Sequence, residues 1–365
     1  MPHHRLTTTT IGAYPKPDGT PIGDWFPDPD DTGAGAKGEG LLKRWERAGY
    51  EERLAQAGEA AEAAFVKAIE EVVRDQVDAG VDVPTDGEVR RENYIFYQCR
   101  NLNGIDFDHL TEKVARDGAF TARVPTITGE VTARDLVLAR DWRIARRATD
   151  RPVKITLPGP MTITDSIANE FYPDPRALGR ALAEALNSEV RSLAAAGCRH
   201  IQVDEPVFAR KPQQALEHGI EHLEAVFHGV PEEVQRIVHM CCGYPSALDV
   251  PDYPKADRQA YFDIAGAMDE AAVDAVSIED AHRPNDLSLL ERYARTTVLL
   301  GVVNIGTSRV EPVDEIAERL GQALDHIDSG RLVAAPDCGL GLLGRDLAVR
   351  KLSNLCAAAH GGAPG

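Results

Sequence analysis

Four residues with metal-binding side chains stand at or just after the ends of predicted β-strands. His239 and Cys241 form a His-x-Cys motif at the end of one apolar run. Glu279 ends the next run, and Cys338 lies in Pro-Asp-Cys-Gly-Leu near the end of the chain. Because residues i and i+2 of a strand point to the same side, His239 and Cys241 can both reach one ion. One nitrogen, two sulfurs and one carboxylate match Zn²⁺ in ligand softness and ligand number.

The wide spacing of these residues favours a catalytic zinc site over a small structural one. The cysteines of a compact zinc knuckle or ribbon come in closely spaced C-x₂₋₄-C pairs, which is not the pattern of this motif. A barrel enzyme instead assembles its site from the C-terminal ends of distant strands. The alternative interpretation is that the histidine and the cysteines only pack in the core.

Two carboxylates also lie at predicted strand ends. Glu88 belongs to an Asp-Gly-Glu segment and Asp204 to Val-Asp-Glu-Pro. Strand residues that face a core should be apolar, so polar residues at several strand ends indicate a shared site. Each carboxylate could bind a substrate ammonium, or it could simply pair with an arginine such as Arg90 or Arg91.

Strand and helix patterns alternate along the chain and predict eight strand–helix units, the number that closes a (β/α)₈ TIM barrel. The predicted strands cover residues 7–11, 81–85, 153–157, 200–204, 236–240, 275–279, 298–304 and 331–335. The predicted helices cover residues 59–79, 134–148, 175–196, 212–227, 257–272, 284–294 and 311–327. A doubly wound α/β sheet is the alternative, but it would need a glycine-rich phosphate turn after the first strand, which Gly12-Ala13-Tyr14 is not.

Two segments interrupt this alternation. Residues 15–40 are rich in Pro, Gly and Asp and predict a long N-terminal loop, which is uncommon unless it is a functional lid or disordered. Residues 99–131 predict a hairpin insertion after the second strand, because positions 121–128 alternate like an exposed strand. The chain shows no internal repeat and no interdomain linker, so we expect residues 1–365 to form a single catalytic domain.

Composition excludes several classes of protein. A net charge of −18 makes nucleic acid or an anionic membrane surface an unfavourable partner. No run of about 18 apolar residues is present, so we expect neither a membrane span nor a signal peptide. Six cysteines in 365 residues do not suggest a disulfide framework, which favours a reducing cytoplasm.

With these motifs, the chain resembles the C-terminal catalytic half of cobalamin-independent methionine synthase and its shorter, single-barrel archaeal-type relatives. The matching segments run from residues 7–12 to residues 336–340, which is almost the whole chain. The resemblance implies that catalytic zinc is bound by the four metal-ligand candidates, His239, Cys241, Glu279 and Cys338. It also implies that Glu88 and Asp204 bind homocysteine, with backbone contacts from Ile11 and Gly12.

The chain departs from the family where the family binds its methyl-folate donor. The resemblance implies a tryptophan that stacks on the pterin, and this position is Ser166 here. It implies a proton-donating histidine where this chain has Gly306, and a serine where it has Ala13. The nearest aromatic residues after Ser166 are Phe171 and Tyr172. The zinc and thiol half of the site is therefore retained, whereas the folate half is stripped.

His282, three residues after Glu279, is a hypothetical substitute for the missing acid, and a histidine in a solvated loop is the alternative. Together these features predict a zinc-dependent transferase that alkylates a small thiol, because zinc lowers the pKa of a bound thiol. Homocysteine is the expected thiol, since two carboxylates suit an ammonium and repel the sulfonate of coenzyme M.

The alkyl donor stays open at this stage. It could be methyl-folate, a methyl-corrinoid on a partner protein, or an epoxide as in the related epoxyalkane:coenzyme M transferases. A second hypothesis is a methyltransferase subunit that is inactive until a partner supplies the methyl donor. Loss of the tryptophan and the histidine favours some version of this second hypothesis.

Overall fold

The computed structural model describes residues 5–22, 50–115, 120–250 and 253–361, so most of the predicted loop 15–40 lies outside the described residues. The strands of the described residues form a main sheet and a smaller one. In chain order these strands are β1 (Thr7–Thr8), β2 (Leu102–Ala115), β3 (Phe120–Ala133), β4 (Lys154–Pro158), β5 (Ala168–Asn169), β6 (His200–Asp204), β7 (Gln235–Met240), β8 (Ala275–Glu279), β9 (Thr297–Val303) and β10 (Leu332–Pro336).

The main sheet has seven parallel strands in the order β1-β10-β9-β8-β7-β6-β4. The segment of the predicted second strand lies between the two outer strands, because Thr9 bridges to Val83 and Thr85 bridges to Lys154. These isolated bridges replace the continuous strand expected at 81–85, since Pro84 has no N–H to give to a ladder. The result is a curled parallel sheet of the TIM-barrel type, as the sequence predicts.

The alternation of side chains along the strands separates packing residues from site residues. A small cluster of buried apolar residues is distinct from the main core and takes one member from each of four strands and one from the segment after β1: Ile237, Ala275, Leu299, Ala335 and Ile11. Because every second residue of a strand shares a face, His239 lies on the face of Ile237, and Glu279 lies on the face of Ala275. The strand faces that bury this cluster therefore carry the polar site residues at their C-terminal ends.

The helices connect the strands, and in the described ranges none of them combines the length and apolar character of a membrane span. Helix Pro175–Ala196 has the predicted bounds because Asp174 caps its start, accepting from the Ala177 N–H at 2.8 Å, and Gly197 ends it with φ at 108°. The α-helices are Tyr50–Asp78, Tyr94–Cys99, Leu138–Arg147, Pro160–Ser166, Pro175–Ala196, Pro206–Arg210, Pro212–Gln214, Ile220–Val226, Gln259–Glu270, Val313–Ala323 and Arg345–Ala359.

Two of the predicted helices are wrong in form. The helix predicted over 212–227 is interrupted by a π-helical turn at Ala215–Gly219. The one predicted over 284–294 is a short 3₁₀-helix, Leu287–Arg292, which begins late because the side chain of Asp286 caps it by accepting the Ser288 N–H. One π-helical or 3₁₀-helical turn changes the spacing of apolar residues too little to be distinguished from the α-helical period of 3.6. The pattern therefore predicts an α-helix in both places.

The smaller sheet contains the segment predicted as a hairpin insertion. Strands β2 and β3 pair antiparallel, and the short β5 lies parallel to β3. Lys113 of β2 reaches beyond the sheet and donates to the carbonyl of Thr164 at 2.9 Å and to that of Ile167 at 2.6 Å. The hairpin is therefore fastened to helix Pro160–Ser166, which begins at the C-terminal end of β4.

Candidate metal centre and substrate cavity

Three of the four predicted metal ligands converge at one edge of the main sheet. His239 lies in β7, Cys241 follows the end of that strand, and Cys338 lies two residues beyond β10. The possible ligand atoms of these three residues lie within 4.8 Å of one another. The Nε2 of His239 and the Sγ of Cys338 are 3.3 Å apart. A nitrogen and two sulfurs thus share one small volume, as the sequence motif predicts.

The imidazole of His239 is held in position to present Nε2 to the two sulfurs. Its Nδ1 lies 2.9 Å from the hydroxyl of Ser277, on the neighbouring strand. Burial and, to a lesser extent, the charge of Lys154 lower the pKa of His239 to about 3, so the ring is neutral at physiological pH. With Nδ1 donating to Ser277, Nε2 carries the free lone pair that a metal ligand needs.

The two sulfurs belong to reduced cysteines. All six cysteines of the chain are free thiols. A hydrogen bond with Cys338 and burial raise the pKa of the Cys241 thiol well above its usual value. A cation beside the sulfur would reverse this shift, because a coordinating thiol is deprotonated. The donor set therefore fits a soft divalent ion such as Zn²⁺.

Glu279, the fourth predicted ligand, lies beside this cluster but is engaged elsewhere. Its Oε1 is 3.3 Å from the Sγ of Cys241, and its Oε2 accepts from the Nζ of Lys255 at 2.9 Å and from the Cys242 N–H at 3.1 Å. Lys255 is buried, and the charges of Glu279 and Cys241 outweigh its desolvation and raise its pKa. The sequence analysis missed this lysine because it follows an irregular proline-containing loop with no periodic pattern.

Asp337, immediately before Cys338, fixes the loop after β8. Its carboxylate accepts three backbone N–H groups, from Asp280 and Ala281 at 2.8 Å and from His282 at 2.7 Å. Burial and the charge of Glu279 raise the pKa of Asp337 to about 8. A Cβ added to Gly301 would lie 2.5 Å from this carboxylate, so the close approach of β9 requires glycine.

A cavity of about 290 Å³ connects the metal-ligand cluster with the two predicted substrate carboxylates. Its lining includes seven of the nine residues that sequence analysis assigned to the site: Ile11, Gly12, Glu88, Asp204, His239, Cys241 and Cys338. Glu279 and His282 are not among the lining residues of this cavity in the described chain. The ring of His282 instead lies 4.7 Å from that of Tyr253, and its Nδ1 is 3.2 Å from the amide of Asn304.

Glu88 lines the cavity and also pairs with an arginine, so its position is compatible with both interpretations offered by the sequence. It has a positive φ of 56°, and its Oε1 accepts from the Thr156 hydroxyl at 2.6 Å and lies 3.3 Å from the Nη1 of Arg91. A Cβ at position 12 would be only 2.5 Å from this oxygen. Gly12 therefore lets the backbone pass directly beside the Glu88 carboxylate.

Asp204 is positioned by a chain of buried polar side chains. Its Oδ1 accepts from the amide of Gln202 at 2.7 Å, and that amide also donates to the carbonyl of Ile11 at 3.0 Å. The Nζ of Lys154 donates to Gln202 at 2.6 Å. Burial and the charge of Glu88 raise the pKa of Asp204 to about 8. A cation placed beside Asp204 would favour its ionised form.

The positions that depart from the family pattern offer neither a pterin platform nor an acid. Ser166 lines the cavity, and its hydroxyl donates back to the Thr162 carbonyl of its own helix at 2.7 Å. Tyr172 accepts the Val131 N–H at 2.8 Å, and the cavity lining in the described residues does not include it or Phe171. Gly306 likewise does not line the cavity in this part of the chain.

The fold and site define an α/β-barrel protein with a His/Cys/Cys cluster beside a small cavity that also contains two carboxylates. Residues 43–361 match the family described as "Cobalamin-independent synthase, Catalytic domain". The chain belongs to this family, which confirms the assignment made from the sequence, and the class that the family defines is a methyltransferase.

Similar proteins agree with this assignment. A methionine synthase of Sulfolobus acidocaldarius is 29% identical over 357 residues, which are 96% of this chain and 90% of the relative. A B12-independent methionine synthase from Shewanella sp. W3-18-1, solved in complex with selenomethionine, is 27% identical with a TM-score of 0.80, covering 98% of this chain and 97% of that one. A putative vitamin-B12 independent methionine synthase from Listeria monocytogenes shares the fold, with 18% identity, a TM-score of 0.66 and 98% of each chain covered.

Proposed function

We propose that this protein is a zinc-dependent methyltransferase that methylates the thiol of homocysteine. The observation that carries the proposal is the convergence of one imidazole nitrogen and two cysteine sulfurs within 4.8 Å, at a cavity that also contains two carboxylates. The relatives named methionine synthase support homocysteine as the thiol. A sulfonate thiol such as coenzyme M is disfavoured because Glu88 and Asp204 would repel its anionic end.

The residues that would hold zinc are His239, Cys241 and Cys338, with Glu279 beside Cys241 as the fourth ligand. When bound there, zinc supplies Lewis acidity that keeps a substrate thiol deprotonated near neutral pH. The protein's own contribution is orientation, because the Ser277 hydroxyl holds the His239 ring at 2.9 Å. A partner of this kind fixes the ring and its tautomer.

Glu88 and Asp204 would bind the ammonium of the amino-acid thiol. Both carboxylates are buried and face the same cavity, so each is a charge that a substrate cation would balance. Gln202 and Lys154 would keep Asp204 in place through their chain of hydrogen bonds. The cavity volume of about 290 Å³ suits a small amino acid.

We infer that the methyl donor is not methyl-folate acting on this chain alone. Ser166 has no aromatic ring for a pterin, and Gly306 has no proton to give to a leaving nitrogen. The same two positions favour a second candidate, a methyltransferase subunit that depends on a partner protein such as a corrinoid carrier. His282 remains a hypothetical acid, and its place outside the cavity lining argues against this role.

A donor screen tests the proposal. Zinc-loaded protein is incubated with homocysteine or, in parallel, with coenzyme M. Each thiol is combined in separate reactions with methyl-folate bearing one or several glutamates, methylcobalamin, and a small epoxide. The mass of the alkylated thiol identifies the donor. Methylation of homocysteine by one of the methyl donors is the expected result. Turnover with the epoxide alone, and on coenzyme M rather than homocysteine, would overturn the proposal.

A further inference from the structure

Tyr94 brings into the cavity a hydroxyl group that the proposed function does not yet use. It is the first residue of helix Tyr94–Cys99, and it lines the cavity together with Glu88 and Asp204. Its hydroxyl forms no hydrogen bond to any residue within the ranges that the structure describes. Within the described residues, the phenol is therefore available to a ligand without first breaking a hydrogen bond.

Several other donor side chains of the lining are already engaged. Each of these donates to a carbonyl or carboxylate of the protein at 2.6–2.9 Å: Lys113, Ser166, Tyr244 and Lys255. Arg210 pairs with Asp165 across 3.4 Å. Ala13, which also lines the cavity, has no polar side-chain atom. Tyr94 thus differs from these neighbours as a donor with no acceptor among the described residues.

Tyr94 is influenced by groups at both ends of the cavity, the carboxylate at one end and the cysteine sulfurs at the other. Burial raises the pKa of Tyr94 well above its usual value, and the negative charges of Asp204, Cys241 and Cys338 raise it further. The phenol consequently keeps its proton and can donate a hydrogen bond to an anion. Tyr94 lines the same cavity as Asp204, Cys241 and Cys338, so a ligand that reaches from the sulfurs to the carboxylate shares this cavity with Tyr94.

We propose that Tyr94 donates a hydrogen bond to the carboxylate of the bound amino-acid thiol, and so determines specificity for amino acids over simple aminothiols. This inference rests on the proposed function, which places the substrate sulfur at the cysteines and its ammonium at Glu88 and Asp204. The carboxylate is then the one remaining polar group of homocysteine. Next to two protein carboxylates it needs a donor, and Tyr94 supplies one without adding charge.

The test compares two ligands on two variants of the full-length, zinc-loaded protein. The ligands are homocysteine and 3-aminopropane-1-thiol, which is homocysteine without its carboxylate. The variants are Tyr94→Phe and, as a matched control, Tyr293→Phe, which removes a buried phenol hydroxyl that also lacks a partner but does not line the described cavity. Calorimetric titration gives the dissociation constants independently of any methyl donor.

We expect Tyr94→Phe to weaken homocysteine binding about 10- to 100-fold, the usual effect of losing a hydrogen bond to a charged group. Binding of 3-aminopropane-1-thiol should change less than about twofold, and Tyr293→Phe should change neither. Equal weakening of both ligands, or of neither, would overturn the role of Tyr94 while leaving the proposed function intact. If the wild-type protein binds neither thiol, the proposed function itself fails, and the role of Tyr94 fails with it.

Discussion

The two sides of the cavity are built from different parts of the fold. The thiol side (Glu88, Asp204, His239, Cys241 and Cys338) is carried mainly by the C-terminal ends of parallel strands and the residues that directly follow them. The donor side (Lys113, Val124, Asp165, Ser166 and Arg210) is carried by the β2–β3 hairpin and by short helices. By the resemblance to the family, Ser166 and Gly306 are departures on the donor side, whereas the thiol-side residues match the family motifs.

This difference shows which side of the cavity holds its polar side chains in fixed positions. On the thiol side, buried partners fix each polar group, as Ser277 does for His239 and Gln202 does for Asp204. On the donor side, the hydroxyl of Ser166 bonds only to its own helix. The thiol side is therefore preorganised for one kind of ligand, while on the donor side the hydroxyl of Ser166 is used within its own helix. Five predictions can break or sharpen this contrast.

The largest effect should come from the metal ligands. Cys338→Ser should abolish activity and remove most of the zinc, because a neutral hydroxyl is a far poorer zinc ligand than a thiolate. The thermal midpoint should change little, since the core does not depend on the site. Zinc content by elemental analysis and X-ray absorption, with sulfur at ~2.3 Å in the wild type, would check this.

Cys198→Ser is the matched control for this change. Cys198 is buried and donates to the carbonyl of His200 at 3.3 Å, a bond that serine can replace. This variant should retain its zinc. A Cys338→Ser protein with stoichiometric zinc and unchanged sulfur coordination would show that the thiol side has been assigned incorrectly.

The next largest effect concerns the donor side. Turnover of homocysteine with methyl-folate should lie at least about 100-fold below the usual enzyme median of ~10 s⁻¹, because a positioned general acid contributes ~10²–10⁴-fold and Gly306 supplies none. Stacking on an aromatic ring adds only ~1 kcal/mol, so loss of the acid should dominate. Steady-state assays with mono- and polyglutamylated methyl-folate measure this. A rate near ~10 s⁻¹ would mean that other residues complete the donor side.

A smaller effect is expected when Asp204, one of the two carboxylates proposed to bind the substrate ammonium, is neutralised. Asp204→Asn should raise the KM for homocysteine roughly 30-fold or more, the usual result of removing one partner of a buried charge pair. Zinc content should stay the same, because Asp204 is not part of the metal-ligand cluster. Steady-state kinetics measures the KM for homocysteine, and elemental analysis of the same samples measures the zinc content. A loss of zinc with an unchanged KM would reverse the assignment.

The same substitution should alter the pH dependence of stability. The pKa of Asp204 is raised from 3.8 to about 8 in the folded protein, so the unfolded chain loses this proton first. The stability contributed by this group therefore falls as pH rises from about 4 to about 8. Asp204→Asn should have the higher thermal midpoint at pH 8, with a smaller difference at pH 5. Calorimetry of metal-free protein at both pH values tests the sign, and a wild-type advantage at pH 8 would contradict it.

The smallest effect should come from the partner of the histidine. Ser277→Ala should weaken zinc binding about 10-fold, because residues that orient a metal-binding histidine typically contribute this much. Ser166→Ala, which removes a donor-side hydroxyl, should leave zinc affinity unchanged. Competition with a chromophoric chelator measures both. Equal zinc affinities in all three proteins would indicate that Ser277 does not preorganise the thiol side.

Sequence analysis could predict residues whose direction is set by regular structure. His239 and Cys241 are two positions apart at a strand end, so their convergence follows from the period of the strand. Helix Pro175–Ala196 was predictable because Asp174 and Gly197 mark its ends. In such cases, the residues that determine the local structure lie only a few positions away in the sequence.

Residues that act through loops and distant contacts could not be predicted. Lys255 contacts Glu279 across a separation of 24 residues, after a loop without periodicity. Tyr94 starts a short helix whose orientation depends on the packing of the whole barrel. His282 shows the reverse error, because its proximity to Glu279 in the chain did not bring it into the cavity lining.

The β2–β3 hairpin has a consequence for how this family can diversify. Its Lys113 reaches the carbonyls of Thr164 and Ile167, so one excursion from the barrel supports the helix that carries Ser166. Insertions, deletions or substitutions in the β2–β3 hairpin can change the shape of the donor side without moving a strand that carries a metal ligand. Natural selection can therefore exchange the methyl source of such an enzyme while its thiol chemistry is inherited unchanged.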